Sequence, residues 1–221
     1  MFFNKILLIT YKTEELFMSF MSYDPWAGIT SRNGVPGDEL VAGLQKSIRR
    51  ADYEVAVRIA YEMYITSEQF EDKLWRRLTI IACEDIGFGN PYAICVINKL
   101  DEARKQFRYT DGDRPLFFFY AIRYLCAQPK ERSTDCLKNL VIKKFEQGYV
   151  PEVPDYAYDV HTAKGRAKGR DVMHFLDVSS RVTPLMEGYD DTYRLKFREI
   201  VKNEIENNIQ PKQGSFEYTI D

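Results

Sequence analysis

From residue 38 onward the apolar positions recur at three- and four-residue spacings almost without a break. Leu40, Val41, Leu44 and Ile48 share one face of a predicted helix that Asp38 caps and that runs through Arg49. A second helix is predicted over Asp52 to Tyr64, with a stripe of Val55, Ile59, Ala60 and Met63. Thr66 and Gln69 form a capping-box pattern that opens a third, carrying Trp75, Leu78, Ile81 and Ala82 to a stop at Gly87. Asn90-Pro91 reads as a cap followed by proline at the first helical position, opening "YAICVINKLDEARKQF". Asp113 and Pro115 introduce "LFFFYAIRYLCAQ", so nearly apolar throughout that it is expected at the centre of the core. Ser133 or Thr134 starts "DCLKNLVIKKFEQG", which Gly148 ends.

A proline-bearing strap, "YVPEVPDYAYDVHTAKGRAKGR", follows, then two more helical patterns near Asp171 to Met186 and Asp191 to Asn207. No run alternates long enough for a sheet, and no fixed-period repeat emerges. The fold class is therefore all-α, an irregular multi-helix bundle or stacked helical pairs. The expected divisions are an N-terminal extension and linker over 1–37, a helical domain over 38–210 and a tail over 211–221. The opening "MFFNKILLIT" is too short to span a membrane and lacks a small-residue cleavage site. With Met18 and Met21 just downstream, the first twenty or so residues read as an upstream extension or a mis-assigned start.

Composition narrows the class. A chain of 221 residues, 45% hydrophobic and 29% charged, can bury a sizeable core. Its net charge of -2 excludes a globally basic nucleic-acid binder, so a polyanion must be met by a local patch. Cys83, Cys95, Cys126 and Cys136 form no CxxC pair and read as reduced core thiols, pointing to the cytoplasm.

Three stretches go beyond generic helix: "GLQKSIRRADYEVAV", "RRLTIIACEDIGFGNPYA" and "RYLCAQPKERS". Their order and spacing resemble the C-terminal region of the replication-associated recombination protein A family of AAA+ ATPases. That family is called MgsA in bacteria and includes the eukaryotic Werner-helicase-interacting ATPases. The likeness is strongest at Gln45 to Arg49, at Glu84, Asp85, Ile86 and Gly87 with Pro91, and at Tyr124-Leu125 with Pro129-Lys130, and it runs from Asp38 to about Pro154. It implies a helical fold like the clamp-loader collar, assembly into homotetramers, and work beside single-stranded DNA and replication proteins. It does not carry ATP hydrolysis with it. Neither a GxxxxGK[ST] segment nor a strand ending in paired acids is found, so the expectation is a freestanding relative of the C-terminal part.

Candidate chemistry concentrates in four places. Glu84 and Asp85 could be catalytic acids, but adjacent helical residues diverge. The expected role is therefore structural, meeting Arg76, Arg77 or a neighbouring helix while Gly87 and Pro91 shape the helix junction. Lys46, Arg49 and Arg50 form either a solvated arc or an interface or DNA-facing stripe. "KGRAKGR" sets Lys164, Arg166, Lys168 and Arg170 within seven residues. It is read either as a solvated turn or as an anion-contact loop, since the nearest acids, Asp159 and Asp171, are too few to balance it. His161 is assigned to a turn or anion contact and His174 to the edge of the core. A metal would need a third ligand from Asp159 or Asp171, and neither a metal nor a cofactor is expected.

The leading expectation is a non-catalytic helical module that oligomerises and binds within DNA replication, recombination or repair. The alternative is a small enzyme or binding protein for a phosphorylated small molecule, held by the 161–170 cations with His161 as general acid or base.

Overall fold

A computed structural model of the chain describes residues 25–210, so most of the expected N-terminal extension and all of the expected tail lie outside the described residues. Among the described residues all regular structure is helical, with one isolated β-bridge between Thr30 and Pro36. None of these helices is long and apolar enough to cross a membrane. Contacts divide the chain into two compact units, meeting in sequence at Gly148 and Tyr149. Gly148 has φ +85°, a backbone conformation that ends a helix readily only at glycine.

The first unit contains α1 (Gly37–Arg49), α2 (Tyr53–Thr66), α3 (Glu68–Ile81), α4 (Ala93–Arg104), α5 (Arg114–Ala127) and α6 (Ser133–Glu146). Its core joins Leu44 and Ile48 of α1 to Leu74, Trp75 and Leu78 of α3, Ile97 of α4, and Phe118, Ile122 and Leu125 of α5. On α2 the buried stripe is Ala56, Ala60, Met63 and Tyr64; Val55, expected inside, is exposed. Two alanines there let α1 and α5 both pack closely on α2. α5 is not buried all round: Phe118, Ala121, Ile122, Leu125 and Cys126 face inward, whereas Leu116 and Tyr120 face solvent.

The caps differ from expectation by small, physically clear steps. α1 begins two residues earlier than a cap at Asp38 implies, at Gly37 after Pro36, and Asp38 accepts from the N–H of Glu39 inside its first turn. Ser67, not Thr66, caps α3 by accepting from the N–H of Phe70, because Thr66 turns its hydroxyl back to the Glu62 carbonyl. α4 starts at Ala93, two residues after Pro91, which sits in the preceding turn. The 30–36 turn read as linker is anchored on α2, where Glu62 accepts from Ser31 Oγ at 2.6 Å and Asn33 Nδ2 at 2.6 Å.

Two polar features tie the interior together. Glu71, fully buried on α3, accepts from Arg114 at 2.8 and 3.0 Å and pairs with Arg104 at 2.8 Å; Arg104 also reaches Asp72 and Asp101. Tyr64 and Tyr109 exchange hydroxyl-to-carbonyl hydrogen bonds, and burial pushes both phenols above their usual pKa.

The second unit contains α7 (Ala163–Ala167), α8 (Val172–His174), a π-helical turn over Phe175–Ser179 and α9 (Thr192–Glu206). Leu176 is its one buried large apolar residue among those described. The helical pattern expected to reach Met186 stops at Ser179, where Ser180 turns its hydroxyl back to the Leu176 carbonyl and the chain runs irregularly to Pro184.

Candidate functional site

The π-helical turn Ala82–Ile86, which continues α3, carries Glu84 and Asp85. Asp85 is fully buried and accepts from Arg49 Nε at 2.5 Å and Gln45 Nε2 at 3.0 Å, both from α1. Arg49 Nη2 also reaches Glu84 at 3.2 Å. Arg132, ahead of α6, places Nη2 3.2 Å from Glu84 and Nε 3.2 Å from Asp85, the second an ion-pair contact without hydrogen-bond alignment. Each arginine thus bridges both acids. Arg76 and Arg77 do not meet them: Arg77 donates instead to Gln45 Oε1 at 3.0 Å.

The segment at Pro129 to Arg132 closes the junction. Lys130 Nζ donates to the Leu125 and Cys126 carbonyls at 3.0 and 3.1 Å, satisfying the open end of α5, and burial lowers its pKa. The Glu131 N–H donates to the Asp85 carbonyl at 2.9 Å. Gly87, at φ +51°, leaves no room: a Cβ there would lie 2.5 Å from the Glu131 carbonyl oxygen. Asn90 donates to Tyr124 and Gln128 and accepts from the Tyr92 N–H across Pro91. The three stretches that carry the family resemblance therefore converge in one ionic junction among α1, α3, α5 and α6. Its acids are saturated by guanidinium and amide donors, which suits holding helices together more than moving protons.

The other candidate cations separate. Arg49 is turned into the junction, whereas Lys46 and Arg50 remain exposed, with Arg50 donating to the Lys46 carbonyl at 3.1 Å. The 161–170 segment is folded rather than an open loop. Thr162 caps α7 through the Gly165 N–H, and a Cβ at Gly165 would lie 1.9 Å from the Asp159 carbonyl oxygen. Asp155, farther away along the chain than the two acids expected to serve, pairs with Lys168 at 2.5 Å and with Arg170. Those two hydrogen bonds hold its carboxyl down at about 2. Arg170 also donates to the Asp155 and Tyr158 carbonyls, Arg166 donates to the Val160 carbonyl at 3.0 Å, and Lys164 Nζ lies 4.2 Å over the Tyr158 ring. The charge expected to need an external polyanion is partly balanced from within.

His161 Nδ1 lies 3.2 Å from Asp159, with its ring edge-on to Phe175, while His174 Nδ1 is buried without a hydrogen-bond partner. Among the described residues no group of three or more His, Cys, Asp or Glu could hold a metal ion. The cysteines depart from the expected core placement: only Cys126 is buried, its thiol pushed up to about 11 by desolvation, and Cys83, Cys95 and Cys136 are exposed.

Sequence reading missed a groove on the outer face of α3, about 380 Å³ in volume, lined by Trp26, Gln69, Asp72, Lys73, Arg76, Arg77 and Ile80. Its signal was the placement of Lys73, Arg76 and Arg77 at i, i+3 and i+4.

Comparison with known proteins agrees with this architecture. The chain is 25% identical over 134 residues to replication-associated recombination protein A of Bacillus subtilis (strain 168); the match covers 61% of this chain and 31% of that protein. The chain thus spans about a third of the length of that curated relative. The family model described as "MgsA AAA+ ATPase C terminal" matches residues 52–213, which takes in α2 to α9 and all of the ionic junction but its α1 side. The chain belongs to the family of MgsA AAA+ ATPase C-terminal regions.

Proposed function

We propose that the chain is a non-catalytic helical module that associates with copies of itself, as a tetramer, and works with the DNA replication or recombination machinery. Family membership supports the setting, since the matched relative is named for replication-associated recombination. The observation that carries self-association is α6: none of its residues is buried, and Leu137, Leu140 and Val141 place an apolar stripe in solvent at i, i+3 and i+4. α9 carries another exposed stripe, Tyr193, Phe197 and Ile200 at i, i+4 and i+7. Such stripes are covered in symmetric assemblies.

Solution mass by light scattering, measured on the full chain with and without a single-stranded oligonucleotide, tests both parts. A mass of four chains that rises further with the strand is the expected result. A monomer that ignores the strand contradicts both.

A further inference from the structure

We propose that the α3 groove binds one nucleotide unit, a phosphate attached to a planar base, with Arg76 and Arg77 on the phosphate and Trp26 against the base. This deepens the DNA-associated reading above and rests on it for the setting, not for the site.

Two arginines of the groove have no acidic partner among the described residues. On the groove-lining face of α3 the one acid, Asp72, is taken up by Arg104 at 2.7 Å. Arg76 is exposed, with no ion pair among the described residues, and Arg77 has a neutral acceptor, the Gln45 amide oxygen. This is the reverse of the 161–170 segment, where Asp155 already holds Lys168 and Arg170. Both side chains line the groove, and their guanidinium donors suit phosphate oxygens.

The second element is aromatic. Trp26 stands on the groove wall, braced edge-to-face on Phe70 with ring centroids 4.8 Å apart, and Lys73 Nζ lies 5.0 Å from its ring centre. As part of the groove wall, the indole can take a base against its ring. A volume of about 380 Å³ suits a small ligand of nucleotide size. The unit can come from a free nucleotide or from a single strand, since both present the same phosphate and ring.

Intrinsic tryptophan fluorescence reads the site directly, because the other tryptophan, Trp75, is buried in the core. The full chain is titrated with a thymidine oligonucleotide of about fifteen residues, near the upper end of single-strand site sizes, and separately with thymidine 5′-monophosphate. Saturable quenching is expected, absent in Trp26→Phe. The double variant Arg76→Ala/Arg77→Ala should bind at least about tenfold more weakly. For the strand, it should lower the salt slope by about 1.4, two contacts at roughly 0.7 each. Circular dichroism confirms that the variants fold. Quenching by both ligands marks a free nucleotide as sufficient, and quenching by the oligonucleotide alone marks the strand; either supports the groove. Absence of quenching by both, or unchanged affinity in the double variant, overturns it. A chain that self-associates but does not quench loses the groove and keeps the oligomer, and a monomer that quenches does the reverse.

Discussion

Glu71 shows what a single buried charge does in this fold. It lies wholly inside on α3 and is held by Arg104 and Arg114, themselves largely buried. Removing one partner from such a group costs more than the pair contributes, because the remaining cations keep their desolvation penalty. Glu71→Ala should therefore destabilise the first unit by about 3–5 kcal/mol, read as a lower denaturant midpoint. Asp155 makes a different prediction. Its carboxyl is held at about 2 against a usual 3.8, so its pairing stabilises the fold fully above pH 3.8 and is lost as pH falls towards 2. An NMR pH titration should place its midpoint near the lower value, and Asp155→Asn should remove that acid-range dependence from the 149–210 unit. Neither partnership was legible beforehand: Glu71 and Arg114 are 43 positions apart, and Asp155 lies 13 and 15 residues before its cations, beyond the acids closest to them.

At the scale of elements, the helices were readable because apolar periodicity, caps and stops agreed with one another, and the all-α class followed. The deviations came from local competition. Thr66 bonds backward and leaves the cap to Ser67, and the segment after Asn90 turns once more before α4 begins. The junction around Asp85 was only half legible. Gly87 and the Glu84-Asp85 pair stood out in the sequence, but their partners Arg49 and Arg132 are set by the packing of α1 and α6 against the π-helical turn. Gly87 tests how tightly that junction is closed. Gly87→Ala adds a methyl 2.5 Å from the Glu131 oxygen at a φ disfavoured for alanine. It should cost about 2 kcal/mol or more, seen as a drop in melting temperature. A neutral result would mean the 129–132 segment is free to shift.

Over the whole molecule, the sequence pointed to the family and the fold class, while its most conspicuous motif, the basic run at 161–170, turned out to be folded around its own acid. What the pattern could not tell was which apolar positions would stay outside, because Leu137 and Leu140 have the same periodicity as a core face. Light-scattering mass across concentration, for the wild type and for Leu137→Lys/Leu140→Lys, reads whether this outside stripe joins copies of the chain. Both residues are more than half exposed, so the substitution should leave the monomer's stability within about 0.5 kcal/mol. Joining through the stripe gives a mass of four chains for the wild type and of one chain for the folded variant. A wild-type monomer at about 10–100 micromolar, where associations of micromolar strength are populated, or a variant that keeps the wild-type mass, contradicts it.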